Sequence, residues 1–454
     1  MTKVIKFGGS SLASAEQLEK VLGIVKTDRT RRFVIVSAPG KRHADDTKVT
    51  DALIAYHAAY KAGKSVAKEQ DWVVERYRDI AEGLGLKDED VLRDIAYNIH
   101  ELASLEKTGN DFLYDTFLAA GENNNAKLIA AYFRENGIPA RYVHPRDAGI
   151  TVSREPGNAR LLTNSYEKIN YLNQLTEAGE TLVIPGFFGV TEKDEICTFS
   201  RGGSDITGSI IAAGVKADLY ENFTDVDGIF ACNPKIIDNP APIHEVTYRE
   251  MRELAYSGFS VLHDEALVPA FRAHIPIVIK NTNNPKHPGT RITTIHEENY
   301  APVVGIASDD GFTTLNLSKY LLNREVGFGR RVLSILEEMG VRWEHMPTGI
   351  DDISIIIRSR FLTPDIEKAI LSRLAETLHP DELYFEHDLS IIMLVGENMK
   401  AHIGVTARAA KALSDSHVNI KMLTQGASEC AVMFVVKNKD EESAVKALYQ
   451  TFFW

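Results

Sequence analysis

The sequence predicts an α/β protein in two parts. Strand-like apolar runs alternate with helix-like stretches over residues 1–300. Glycine-rich turns follow two of those strands, and over residues 301–454 an order of strand–helix–strand–strand–helix occurs twice. Alternation of the first kind builds a mainly parallel sheet covered by helices on both faces. Repetition of the second kind, at a period of about 75 residues, builds two ferredoxin-like βαββαβ modules. A chain of 454 residues, 44% hydrophobic, suits this, because domains average about 150 residues and three of them can each bury a core.

In chain order, residues 3–7 form a short strand, Gly8-Gly9-Ser10-Ser11 a turn, and a helix starts near Ser14. A second strand covers 32–36. The Ala-, Leu-, Glu- and Lys-rich stretch 47–133 reads as largely helical. Strands return at 181–188, 196–199, 217–222 and 275–280, and the Pro- and Asn-rich run 281–289 reads as a loop near the end of this part. In the second part 312–317 is a strand. Phe328, Val332, Ile335, Leu336 and Met339 then share one helix face. Strands at 341–345 and 353–358 and a helix near 365–378 complete the first copy. The second copy has strands at 389–395, 418–423 and 431–436. Its helices carry Val405, Ala409, Ala412 and Leu413 on one face, and lie near 441–449.

Composition narrows the function. Lys+Arg 51 against Asp+Glu 63 leaves a net charge of −12, which argues against a nucleic-acid or anionic-membrane partner and requires a local basic pocket for any anionic ligand. Three scattered cysteines (Cys197, Cys232, Cys430) exclude a disulfide framework and a CxxC metal site. The chain opens directly into a strand-like segment, and no apolar run approaches a membrane span. A reducing, cytoplasmic location is expected.

Three clusters carry chemistry. Lys6 ends a strand that runs into Gly8-Gly9-Ser10-Ser11. Glycines let backbone N–H groups approach a phosphate, the helix start adds a positive dipole end, and the lysine adds a mobile point charge. The second cluster, Ser200-Arg201-Gly202-Gly203-Ser204-Asp205, again joins a strand to a helix. Arg201 can hold a carboxylate bidentately, while Asp205 either caps its helix, orients Lys6 or helps position a metal–nucleotide complex. The third, Phe223-Thr224-Asp225-Val226-Asp227-Gly228-Ile229-Phe230, ends a strand at a place where α/β proteins bind ligands, or is an ordinary Asp-Gly turn. Glu122 sits in a helical pattern and, taken alone, reads as a solvated face. Gly63-Lys64-Ser65 is no Walker loop, since Ala58 stands at the required glycine, and the fourteen histidines form no metal motif.

With Val418-Asn419-Ile420 and Gln425-Gly426-Ala427-Ser428-Glu429, these clusters closely resemble aspartate kinase over essentially the whole chain. The resemblance implies an amino-acid kinase fold (a three-layer αβα sandwich) at 1–300, then ACT domains at 301–387 and 388–454 with interleaved strands. The homoserine dehydrogenase fused in some relatives is not expected. It implies transfer of the ATP γ-phosphate, with nucleotide-bound Mg²⁺ and no protein metal site, to the β-carboxylate of L-aspartate, the first step towards lysine, threonine and methionine. By matching position, Lys6 and Asp205 are the catalytic residues, and Thr50, Glu122, Arg201 and Ser204 the aspartate-binding ones. Lys6, Phe7, Gly8, Gly9, Ser10, Thr224, Asp225, Phe230, Lys235, Ser260 and Val261 fall on the nucleotide side.

This sequence departs from the family pattern at Ser200, Asn125 and Phe230, and Ser260 stands where a nucleotide-contacting lysine is usual. Lys280 is the candidate substitute. In the ACT modules Gly327, Phe328 and Glu344 match effector positions. The resemblance implies feedback by lysine, with threonine a second candidate, and a homodimer or homotetramer built through these modules. Glu344 reads equally as an exposed strand-edge charge. Two other readings are a different amino-acid kinase, such as a glutamate kinase, and a catalytically silent amino-acid sensor.

Overall fold

The computed structural model describes residues 1–454 except 177–178, 201, 260–261, 263 and 297–300, together with all but the side chain of Asp264. The chain divides into two compact units. The first comprises residues 1–229, 242–252 and 260–297; the second comprises 230–241, 253–259 and 298–454.

The first unit is built on an eight-stranded sheet. Its spatial order is Glu245–Thr247, Thr290–Thr293, Ile277–Asn281, Leu219–Thr224, Lys3–Phe7, Arg31–Val36, Thr181–Pro185, Ala140–Tyr142. Every neighbouring pair is parallel except Ile277–Asn281 with Thr290–Thr293. Strand alternation explains how both faces are filled. Ile5, Phe7, Val34, Val36, Val183 and Phe223 point into one core with the helices Ala15–Thr27, Val49–Lys61, Ala67–Gly83, Glu89–Glu101 and Leu113–Glu135. Val4, Phe33, Ile35, Leu182, Ile184 and Tyr220 are buried on the other face. There the Tyr220 hydroxyl donates to the Asp205 carbonyl of the helix Gly203–Val215. The α/β layering read from the sequence is therefore present.

Several boundaries differ from expectation, each for a local reason. The run 181–188 is two strands: it breaks at Phe187, whose φ of 78° no strand adopts. Phe188–Val190 then pairs with Ile196–Thr198 in a separate hairpin. The Asn- and Pro-rich loop lies near the end of the first unit, as expected, and turns a hairpin into the Thr290–Thr293 strand.

The second unit carries a five-stranded antiparallel sheet, ordered Asp352–Arg358, Gly305–Ser318, Glu382–Val395, Ala431–Lys437, Met422–Gln425. Two of its strands are 14 residues long, twice what the sequence suggests. Gly305–Ser318 uses its first half against residues 391–395 and its second half against 382–386 and 352–358. The expected strand at 341–345 is replaced by isolated bridges, His345 with Ile356 and Thr348 with Ile353. The strand expected at 418–423 begins only at Met422. The amphipathic helices are as read: Phe328–Glu338 buries Phe328, Val332, Ile335 and Leu336, and Val405–Asp415 buries Val405, Ala409 and Leu413. No helix among the described residues is long and apolar enough to cross a membrane.

Candidate active site

Parallel strands deliver their carboxyl ends to one edge of the first unit. The turn after Lys3–Phe7 is tied to the neighbouring strand by the Gly8 N–H donating to Phe223 O (3.0 Å). Ser11 Oγ meets Thr282 Oγ1 at 2.7 Å. Beside these, Gly9 and Gly40 bring two turns into backbone contact: the Gly40 N–H donates to Gly9 O (2.8 Å), and a Cβ on Gly40 would sit 2.5 Å from Gly9 C. Only glycine allows that approach.

At this edge lies a cavity of about 490 Å³, bordered by Gly9, Ser10, Gly40, Thr50, Glu122 and Asp225. Each reaches it for a structural reason. Thr50 lies in the first turn of the helix Val49–Lys61. Gly121 lets the helix Leu113–Glu135 press against Ala38, a Cβ there standing 2.9 Å from Ala38 Cβ, and the next residue is Glu122. Asn125, on the same helix, donates to Ser37 O (2.7 Å). Asp225 follows the strand Leu219–Thr224, and the Thr224 hydroxyl donates to its carboxylate (3.2 Å).

Glu122 is not on a solvated face. It is 5% exposed, and Oε2 has no hydrogen-bond partner among the described residues. Burial pushes its pKa up to about 8, partly offset by the Ala38 backbone N–H. A buried carboxyl oxygen without a donor, at the wall of a cavity, is suited to a cationic guest.

Lys6 Nζ lies 2.5 Å from Asp205 Oδ1. Both side chains are largely buried, at 8% and 14% exposure. Asn222 Nδ2 donates to the same Asp205 oxygen (2.8 Å), and Lys6 Nζ donates weakly to Asn222 Oδ1 (3.5 Å). Asp205 lies in the first turn of its helix, whose N-cap is Gly202. Of its three readings, orientation of the lysine is the one its contacts match. Lys6 Nζ lies 3.5 Å from where a Gly8 Cβ would be, directly beside the glycine turn. Ser204 is buried and touches the Gly186 turn, where a Cβ would lie 2.7 Å from Ser204 Cβ.

Other sequence assignments fare differently. Phe7 is fully buried in the core against Phe223, with ring centroids 5.3 Å apart, so only its backbone faces the turn. Phe230 and Lys235 belong to the second unit. Arg201, Ser260 and Val261 lie outside the described residues. The charges around Lys280 are Glu221, Arg31 and Lys3, the last two at the amino ends of their strands. Sequence reasoning missed Asn222 and the loop 37–48; the Ser37-Ala38-Pro39-Gly40 turn after the strand Arg31–Val36 was the available signal.

Comparison with known proteins now bears on this site. The amino acid kinase family matches residues 1–281 and the ACT domain matches residues 392–452. Aspartokinase 3 of Bacillus subtilis is 54% identical over 99% of this chain and 98% of its own length. The chain belongs to the aspartokinase family. Its activity is that of an aspartate kinase. The Clostridium acetobutylicum aspartate kinase structure superposes on this aspartokinase with a TM-score of 0.86, at 38% identity, covering 99% of this chain and 100% of that one. The structure of Escherichia coli aspartokinase III in complex with aspartate and ADP (R-state) covers all of both chains with a TM-score of 0.81 at 25% identity. The amino-acid kinase fold with C-terminal ACT elements, expected from the resemblance, is the fold of this aspartokinase.

Proposed function

We propose that this aspartokinase joins ATP to L-aspartate in the cavity bordered by Gly9, Thr50, Glu122 and Asp225, with Lys6 on the transferring phosphoryl group. The observation that carries the reading is the convergence on one cavity of a glycine turn, a buried carboxyl oxygen at Glu122 with no partner among the described residues, and the strand-end Asp225.

The chemistry needs no strong base. The β-carboxylate of aspartate is already ionised near pH 7 and attacks the γ-phosphorus, while the γ–β bridging bond breaks towards ADP. The difficulty is bringing anions together. Lys6, held by Asp205 and Asn222, supplies a fixed positive charge, and the Gly8–Gly9 turn supplies backbone donors. Glu122 receives the aspartate ammonium, Thr50 and Ser204 contact the substrate, and Arg201 clamps the α-carboxylate. Thr224 and Asp225 serve the nucleotide side, with Ser10 at the phosphates; for Phe230, Lys235, Ser260 and Val261 a nucleotide role rests on the family resemblance alone.

The triphosphate brings its own Mg²⁺. Among the described residues no cluster of three or more His, Cys, Asp or Glu can cage a metal. An ion of this kind is held mainly by phosphates and water, and Asp225, at the cavity wall, would be its carboxylate contact. The cation would neutralise phosphate charge.

Feedback by an end-product amino acid, lysine first and threonine second, is assigned to the second unit, which we also take to assemble the homodimer or homotetramer. Gly327, at φ 78°, opens the helix Phe328–Glu338 without a side-chain cap; the Phe328 N–H donates to Glu325 O (3.2 Å), so an effector carboxylate would meet the N–H groups that follow it. Glu344 is not an exposed edge charge: it receives Arg358 Nε at 3.2 Å and the Tyr256 hydroxyl. An effector ammonium there would have to compete with Arg358.

An aspartate-dependent hydroxamate assay tests the central reading, because it traps the acyl phosphate. Turnover with aspartate and none with glutamate is expected; the reverse preference overturns it.

A further inference from the structure

One buried guanidinium lies behind the cavity and ties its two turns together. Arg76, on the helix Ala67–Gly83, is 2% exposed. Its Nη2 donates to Gly40 O (2.7 Å) and Ala13 O (3.0 Å), and its Nη1 donates to Asp46 Oδ2 (3.0 Å). Those three acceptors come from separate places: the residue after the short helix Gly9–Leu12, the Gly40 turn, and the far end of the loop 39–48. Asp46 is itself buried and also accepts from Arg42, through its backbone N–H (2.9 Å) and its guanidinium (2.9 and 3.1 Å). The loop closes at its base, where the Val49 N–H donates to Pro39 O (3.1 Å).

Burying an arginine is costly and adds little net stability even when it is paired. Here Nε has no partner among the described residues, so the guanidinium is not placed to satisfy itself. Its placement instead fixes the spacing between the glycine turn and the loop that carries Gly40, Lys41, His43 and Lys48 along the cavity.

We propose that Arg76 is a positioning residue for phosphoryl transfer, acting through the Gly9–Gly40 contact, an inference that rests on the cavity being the aspartate kinase site. It touches neither reactant. Through its two carbonyl acceptors it holds the phosphate-side turn and the substrate-side loop at the separation the transfer requires.

The test compares the full chain with Arg76→Lys, Arg76→Ala and Asp46→Asn in the hydroxamate assay, with thermal midpoints measured alongside. Lysine keeps the charge but cannot reach three acceptors at once, so kcat should fall about 100-fold, the scale of a misplacement near 1 Å. KM for ATP and aspartate should change far less, because uniform binding is untouched. Millimolar methylguanidinium should restore turnover to Arg76→Ala without raising its KM; a purely structural role would not give rescue of kcat alone. If Arg76→Ala does not fold, Asp46→Asn carries the same kcat-against-KM test. Folded Arg76→Lys with wild-type kcat overturns the inference while leaving the site reading intact. A wild type inactive on aspartate overturns the site reading itself.

Discussion

The Lys6 amine stands 2.5 Å from the Asp205 carboxylate, and Asn222 donates to the same carboxylate oxygen from the neighbouring strand. The two residues are 199 positions apart in the chain (205 − 6) and meet because the helix Gly203–Val215, which carries Asp205 in its first turn, packs against the strand Lys3–Phe7, while Asn222 stands opposite Lys6 on the neighbouring strand. A cation so held keeps its charge aimed at one place, which a free surface lysine does not.

Lys6→Ala should therefore lower kcat by about 100- to 1,000-fold, the loss seen when one preorganised charge-stabilising donor is removed. Nucleotide binding, followed by calorimetry with ATP, should largely survive. Asp205→Asn should lower kcat in the same direction by freeing the lysine. Full activity in Lys6→Ala would remove it from the phosphoryl path.

Glu122 gives a pH signature. Its folded pKa, about 8, lies above the ordinary carboxyl value of 4.5, so the ligand-free protein binds this proton more tightly than the unfolded chain does. Its stabilising contribution is present below about pH 4.5 and drains away as pH rises towards 8. Docking an ammonium against it favours the charged form and expels the proton. Aspartate binding at pH 7 should release a proton, read as a dependence of calorimetric enthalpy on buffer ionisation enthalpy. Glu122→Gln should abolish that dependence and raise the aspartate KM; an unchanged dependence would show that the ammonium docks elsewhere.

Gly40→Ala places a methyl group 2.5 Å from Gly9 C and 2.7 Å from Gly9 O, against backbone that cannot swing away. Overpacking of this kind costs about 1–3 kcal/mol. The variant should melt lower and lose turnover more than its melting shift explains, because the displaced turn is the one at the cavity. Gly137→Ala, where a Cβ meets nothing within 4 Å, is the control: its φ of 80° costs stability without touching the site.

Within the second unit, Glu344→Ala removes the acceptor for Arg358 and Tyr256. If lysine is the effector and binds by displacing this pair, the variant should need a different lysine concentration for half-inhibition while its uninhibited turnover stays the same. Inhibition curves that overlay the wild type would take Glu344 out of the effector site.

What could be read in advance follows from how local each signal is. The turns after Lys6 and before Asp205 were legible because glycine beside a strand end is a sequence-local mark, and so was the apolar face of Phe328–Glu338. Asn222, Arg76 and Asp46 were not, since a buried polar residue has no meaning until distant acceptors close around it. The helical face assigned to Glu122 was misjudged for the same reason: Gly121 and Asn125 draw it inward through contacts with residues 37–38. The strand Gly305–Ser318 is longer than the 312–317 run that its apolar residues mark, because it includes Asp309, Asp310 and Gly311. The sheet passes through them with a register shift and a Gly311 φ of 75°.

Those two 14-residue strands have a practical meaning. Each contributes to both halves of the same sheet, with a register shift between them, and a cut after residue 387 would sever one of them in mid-course. The halves therefore share main-chain ladders and should melt as one cooperative block, with matching amide-exchange protection on either side of the expected border. Strain introduced in one half has no hinge in which to dissipate before it reaches the other. Anyone transplanting this sensor must move the pair together.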